Sequence, residues 1–506
     1  MNLGSGFMSQ VSGEHIGQRK GRDIQMKAPF SPYLTGIAPG LKQLIFLLRG
    51  KYDYVSVLAT DSTGFQTSIS QKAKSVSRET LTTERGTVVR VYRNGLYSEA
   101  AFTGFDPETV RDTAERINAE LEEQFALLET AGVKPYETAA LPDEPRIIFE
   151  EMETERMPQE EDLAGLVARL SDISAQGIRD GEAKGIQMID CQTRASSTHV
   201  CKMFLTEKQD LRQSYVYSEG MIAALVTDGE RTEMSYTSLS GRCGPELFDS
   251  MAEKLPETIR IAKDLLAAEH VEPGEYDVIT SPEVTGLIAH EAFGHGVEMD
   301  MFVKGRALGA DYIGKRVGSD LVTMHEGALC AVDVTSYAFD DEGIPAGDVT
   351  EIENGILRTG ICDALSALRL GVQPTGNGKR ESFSHKVYTR MTNTVFDSGN
   401  STLEEMIASI QKGYLLEGMQ SGMEDPKHWG IQCILDRGYE IIDGKLTGKV
   451  VSPLVMTGYV PDLLGSVSMV SKDREVFGSG YCGKGHKEWV KVADGGPYLK
   501  VKVRLG

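Results

Sequence analysis

The 506-residue sequence is poor in cysteine, in long apolar runs and in basic charge, and each shortage excludes a class of protein. The seven cysteines, Cys191, Cys201, Cys243, Cys330, Cys362, Cys433 and Cys482, are odd in number, scattered and never in CxxC spacing. That usage excludes a disulfide scaffold and points to a reducing compartment. The stretch LKQLIFLLRG falls far short of the roughly 20 residues needed to span a bilayer. MNLGSGFMSQVSGEHIGQRKGRD holds no apolar core of a secretory signal. The reading is a cytoplasmic protein with no membrane partner. A net charge of −21 opposes approach to nucleic acid or to an anionic membrane, so nucleic acid is not expected as a partner either. What is present is ordinary for a globular chain, with 40% hydrophobic and 25% charged residues. The length suits roughly two to four domains.

Residues 1–35 read as a loose, polar, Gly-rich arm. A short helix is expected over 39–49, then a strand in YDYVSVLAT and a hairpin through Asn94-Gly95, where a type I′ turn needs positive φ twice. Apolar residues at helical spacing run through DPETVRDTAERINAELEEQFALLETAG, with Gly132 as the stop. The acidic EEMETERMPQEED (150–162) reads as a solvated connection or the first turn of a helix ending near Gly177. ERGTVVRVYRNGLYSEAAF and SEGMIAALVTDGERTEMSY align, each with a glycine, a β-rich run and Asn-Gly or Asp-Gly at one offset. Two related strand–hairpin units would explain this. Residues 245–269 read as helical and VEPGEYDVIT as a strand, helices recur near 359–370 and 401–413, and PYLKVKVRL closes the chain as a strand. The expected class is α+β: an N-terminal α/β layer with strand–hairpin units over 36–245, and a β-rich C-terminal domain over 246–506 that carries the chemistry.

The chemistry gathers in VTGLIAHEAFGHGVEMD, residues 284–300, where an apolar run leads to His290-Glu291 and a second histidine at 295. H-E-x-x-H sets two imidazoles on one helix face. Here the spacing is i, i+5, which on a regular helix turns the second side chain away by about 140°. Both imidazoles reach one metal only if the helix opens by a residue, as in a π-bulge, or ends near His295. Gly294 and Gly296 make either deformation cheap. Catalytic zinc sites take three protein ligands and keep one position open, so a third ligand must come from elsewhere. Glu298, Asp300, His325, His385, His486 and the cysteines are candidates, with Cys482 distinguished by the glycines of GSGYCGKG. The other six cysteines read as buried and inert, and His15, His199, His270 and His428 as ordinary surface or core residues. TGNGKR lacks phosphate-loop spacing, and DDEG (340–343) lacks the calcium-loop pattern.

HEAFGHGVEMD, DDEGIPAGDVTEIENGIL (340–357), PTGNGKRES (374–382), TRMTNT (389–394) and GSGYCGKG (478–485), in that order, resemble the TldD/PmbA family of zinc peptidases, once described as modulators of DNA gyrase. The resemblance covers roughly residues 275–506 and is weaker before them. The family pairs a metal-bearing member with a sibling lacking HExxxH, and this sequence resembles the former. The resemblance implies zinc on His290, His295 and Cys482, with Glu291 as the catalytic carboxylate. It also implies an extended peptide substrate and a dimer, either with the metal-less sibling or with a second copy. One departure is the text after CGK, GHKEWVKV, which places His486 and Trp489 where the family commonly has Gln and Val-Pro-Val. Arg390, Asn393 and His385, in motif-rich sequence, are candidate donors toward the substrate. The expected function is a zinc-dependent peptidase of unfolded peptides or small proteins. The alternatives are a non-catalytic regulatory protein with a closed zinc site, to which His486 could contribute, and a tailoring protease for one dedicated peptide.

Overall fold

The computed structural model describes residues 26–133, 140–484 and 487–506. Most of the expected arm, residues 1–25, and His486 lie outside the described residues. In the remainder of the expected arm, Met26–Lys27 pair antiparallel with Glu153–Thr154, and helix α1 (Pro32–Arg49) begins. The Ser31 side chain caps it by accepting from Leu34 N–H, and Pro32 sits at the first turn, where its missing N–H costs nothing. The expectation of a helix only from residue 39 is thus corrected: Pro39 lies inside the helix. The buried Leu34, Ile37, Leu41, Leu44 and Leu48 make an apolar stripe that outweighs the one backbone bond a proline removes.

The N-terminal half is one strongly antiparallel sheet. Its main strands are β1 (Tyr54–Ile69), β2 (Arg85–Arg93), β3 (Leu96–Phe102), β4 (Gln187–Leu205), β5 (Gln209–Thr227) and β6 (Thr232–Gly241), in the order β6-β5-β4-β1-β2-β3, with Lys74–Ser77 added on β1 and Arg146–Glu151 added in parallel on β5. The two segments that align in sequence form the β2–β3 hairpin and the β5–β6 hairpin. They flank a central seam in which β1 and β4 pair from Val57↔Leu205 to Ile69↔Thr193. Helix α1 precedes the first unit and α2 (Val110–Thr130) follows it, while α3 (Leu163–Ala183) and α4 (Leu255–Leu266) bracket the second in the same way. The sequence repeat is therefore a repeat of fold.

Odd-numbered residues of β1 and β4 face these helices. Val55, Val57, Ala59, Met203 and Leu205 join the core of α1 and α2, and Phe65, Ile69, Cys191 and Ala195 join that of α3 and α4. Even-numbered residues face the C-terminal half, as Leu58 and Phe204 do against Phe339. Burial on both faces explains why these strands read as continuous apolar and β-branched runs. Gly177, read as a helix end, lies inside α3: a Cβ there would run into Cys191 Sγ, so the glycine buys close packing of helix on sheet. Residues 246–266, which the sequence reading assigned to the C-terminal domain, bury Leu247, Phe248, Met251, Leu255 and Ile259 in the N-terminal core.

The C-terminal half is β-rich. Strand β7 (Gly274–Thr280) pairs parallel with β9 (Lys412–Glu424) and antiparallel with the terminal strand β14 (Ala493–Leu505). Strands β8 (Asn393–Phe396), β10 (Gly430–Ile442) and β11 (Leu454–Tyr459) extend this sheet. A separate hairpin joins β12 (Tyr481–Lys484) to β13 (Lys487–Lys491). Helix α5 (Pro282–Ala289) crosses the sheet, with Val284, Leu287 and Ile288 in its core. The helices near 359–370 and 401–413 are shorter than expected, Ala364–Leu370 and Leu403–Ala408.

Candidate metal centre

Ser281 caps α5 by accepting from Val284 N–H, and Pro282 occupies its first turn. The helix runs regularly to Ala289 and then widens into a single π-helical turn, His290–Gly294, closed by the bond from His295 N–H to His290 O. A tight 3₁₀ turn, His295–Val297, ends it. The one-residue opening that the i, i+5 spacing requires is present at the histidines themselves. It brings the two imidazoles to one side, with ring centroids 5.1 Å apart and planes at 87°. Gly294 lets Met391 pack closely on this turn, since a Cβ there would run into Met391 Sδ.

The third member comes from 187 residues further on. Cys482 lies in β12 opposite Val490, 4% exposed, with Sγ 3.2 Å from His295 Nε2. One ligand atom from each of His290, His295 and Cys482 fits within 4.8 Å of the others, so the three could hold one metal ion. Two imidazoles and a thiolate are a donor set suited to zinc. Burial alone would raise the Cys482 thiol, but the neighbouring His295 and His290 hold it well below its ordinary value. Burial likewise disfavours a charged His290, yet the adjacent Cys482 raises it to about 9.

Each ligand is held from behind. His295 Nδ1 lies 3.1 Å from Glu298 Oε2, and Glu298 is 2% exposed and also faces Lys484 Nζ at 3.2 Å. Although burial works against its charge, Lys484 and His295 keep Glu298 ionised far below the ordinary carboxylate range. His290 Nδ1 faces Asp494 Oδ2 at 3.6 Å. Asp494 approaches because Gly286 leaves room on α5, where a Cβ would stand 2.6 Å from Asp494 Oδ1. Arg390 Nη2 donates at 2.9 Å to both the carbonyl and the Sγ of Cys482. Glu291, buried beside His290, lies over Gly422 of β9, where any Cβ would strike it.

The sequence-derived candidates therefore separate. His290, Glu291, His295 and Cys482 come together. Arg390 is fully buried and spends its guanidinium on Cys482, Glu298 and the backbone of Glu488. Asn393, also fully buried, spends its amide on Gly327 O, Ala331 O, Ser336 Oγ and Thr335 Oγ1. His385 is exposed and bonded to Ser382. Arg390 and Asn393 thus turn most of their donors inward, onto Cys482 and the scaffold, while His385 stays at the surface. Of the other third-ligand candidates, Glu298 and Asp300 stand behind the cluster on Lys484, and His325 pairs with Asp348 away from it. Sequence reasoning missed Asp494, Lys484 and Gly422. The only trace of Asp494 was the glycine pair of ADGGP, a mark of close backbone approach.

Residues 273–503 match the family model of the PmbA/TldA metallopeptidase C-terminal domain. A zinc metalloprotease TldD homolog of Saccharolobus solfataricus is 33% identical over 234 residues, 45% of this chain and 51% of that protein. A metalloprotease of Synechocystis is 27% identical over 474 residues, covering 93% of this chain and 98% of that one. The stretches matched to the first curated relatives span 51–62% of those proteins' lengths. The solved structure of TldE from Thermococcus kodakarensis superposes with a TM-score of 0.70 at 19% identity, over 92% of this chain and 100% of that one, a likeness of fold. Through residues 273–503 the chain belongs to the TldD/PmbA family.

Proposed function

We propose that this chain is a zinc-dependent peptidase of the HExxxH type acting on unfolded peptides or small proteins. The observation that carries the reading is the convergence of His290, His295 and Cys482 at a π-turn that also presents Glu291. Names of relatives, metalloprotease for several and zinc metalloprotease for one, support a metal cofactor and zinc in particular. Zinc, when bound, supplies a Lewis acid that lowers the pKa of water and polarises a peptide carbonyl. The chain's own residues do the rest. Glu291 accepts a proton on its carboxylate from the attacking water and returns it to the leaving amine. Glu298 and Asp494 fix the orientation of the two imidazoles. Arg390 fixes the thiolate and draws off part of its charge.

Three ligands are the number catalytic zinc sites use, which favours this reading over a regulatory protein with a closed site. The free cysteines suit work in a reducing, cytoplasmic compartment. The fold likeness to TldE supports a metal-less sibling as dimer partner, with a second copy of this chain as the alternative. The test is to incubate the purified chain, alone and with a metal-less homologue, with an unstructured peptide pool and read the products by mass spectrometry. Cleavage should disappear with chelator and fall about 10²–10⁴-fold in Glu291→Gln. A zinc-loaded chain that cuts nothing in either state would defeat the reading.

A further inference from the structure

Beside the cluster, on the wall formed by β9, stands a carboxylate that the peptidase reading does not use. Strand residues two apart point to one face. Glu424 therefore shares the face of Gly422, which Glu291 covers. Its Oε1 lies 3.4 Å from the point a Cβ at Gly296, next to His295, would occupy, and Trp429 Nε1 lies 3.6 Å from the same point. Neither Glu424 oxygen nor the indole N–H has a hydrogen-bond partner, all three atoms are shut off from solvent, and Trp429 is wholly buried. The cation beside it, His295, is already engaged with Glu298 and Cys482, and burial together with the nearby Glu291 raises the Glu424 carboxyl to about 9. A carboxyl left this way holds its proton, and a positive charge brought to it from outside would favour the ionised form and fill its empty bonding positions. Glu424 is the last residue of β9, is itself partly exposed, and is followed by the exposed Asp425, so a bound chain can approach it there.

We propose that Glu424 is a specificity-determining residue that receives a lysine or arginine side chain of the substrate beside the scissile bond. The proposal rests on the peptidase reading of the site for the identity of the bound chain. It agrees with the net charge of −21, which draws basic peptides toward the protein. Trp429, next to Glu424, gives the proposal a readout independent of turnover.

Two experiments test it. In the first, zinc-loaded wild-type protein and Glu424→Gln are given peptides identical except for Lys, Ala or Glu, scanned through the residues flanking the cut. Wild type should prefer the Lys over the Glu peptide in kcat/KM by about tenfold or more, the scale of one charge pair at a partly buried site. In Glu424→Gln that ratio should fall toward one, and because it is a ratio, a general loss of activity does not imitate it. The second uses Glu291→Gln combined with Trp489→Phe, which leaves Trp429 as the sole tryptophan of the chain's two. Titration with the Lys peptide should shift Trp429 emission and give a Kd about tenfold below that of the Glu peptide, and adding Glu424→Gln should remove both effects. A wild-type ratio near one, a ratio unchanged in Glu424→Gln, or tight binding with silent Trp429 emission would overturn the proposal. Preferential binding of the Lys peptide without any cleavage would uphold it while defeating the peptidase reading. Cleavage without preference would do the reverse.

Discussion

In the N-terminal sheet, buried polar side chains find partners nearby, whereas around the metal centre they are left facing one another. Among the described residues before position 245, the buried side-chain atoms without a hydrogen-bond partner are Thr60 Oγ1, Gln209 Oε1 and Arg242 Nε. Around the cluster they include His290 Nδ1, Glu298 Oε1, Arg390 Nε, Asp494 Oδ1, Trp429 Nε1 and both oxygens of Glu424. The first region is built for packing, with alternate strand residues given to helices on one face and to the other half of the molecule on the opposite face. The second keeps charges that a purely structural core would exclude, which is the mark of a site held ready for a ligand. The difference teaches where to look for stability and where for chemistry.

The sharpest way to break the comparison is to damage each region and ask which property fails. Ile117 of α2 is fully buried in the first core, so Ile117→Ala should cost about 2–5 kcal/mol of stability, read by denaturant unfolding. Zinc affinity of the folded fraction should not change. Conversely, Glu298→Gln or Asp494→Asn should weaken zinc binding about 10–100-fold, measured by competition with a chelating dye. Protection of the N-terminal strands in hydrogen exchange should stay as it was. An effect of Ile117→Ala on zinc affinity, or none from either carboxylate variant, would blur the distinction.

A smaller effect separates the halves by pH. His199, buried on β4 between Ser214 and Gln159, is pushed down to about 4 by burial. Its folded pKa lies below the unfolded value of about 6.5, so the unfolded chain binds the extra proton. The N-terminal half therefore loses stability as pH falls from about 6.5 toward 4. Glu326, fully buried on the short strand paired with β8, is raised to about 7 by burial, and the sign reverses. Its contribution is complete below the unfolded carboxylate value and is lost as pH rises toward 7. Melting curves across this range should show His199→Gln flattening the acid limb only, and Glu326→Gln flattening the limb toward neutral pH.

The same contrast governs what could be read from the sequence. Periodicity found α2 nearly whole, and the aligned Asn-Gly and Asp-Gly turns disclosed the two hairpin units, because local patterns encode local structure. Pro39 and Gly177 misled for a tertiary reason: apolar burial along α1 and close packing of α3 on β4 override what those residues do in isolation. At the site, His290, Glu291, His295 and the widened turn were legible because they are neighbours in sequence. Cys482 was only one of several possible third ligands until the ordered motifs were compared with a family. Asp494 and Glu424 were invisible, since each reaches the site through sheet pairing and through the space left by Gly286 and Gly296. Arg390 and Asn393 showed their importance in sequence but not their use, which is to hold Cys482 and the scaffold.

The measurement closest to the central claim is the absorption spectrum of the chain reconstituted with cobalt in place of zinc. One centre made by His290, His295 and Cys482 predicts a thiolate-to-cobalt charge-transfer band in wild type that survives in Glu291→Gln and in Cys330→Ser. The band should vanish in Cys482→Ser and in His295→Ala. Its persistence without Cys482, or its absence from the wild-type protein at full cobalt occupancy, would contradict the account.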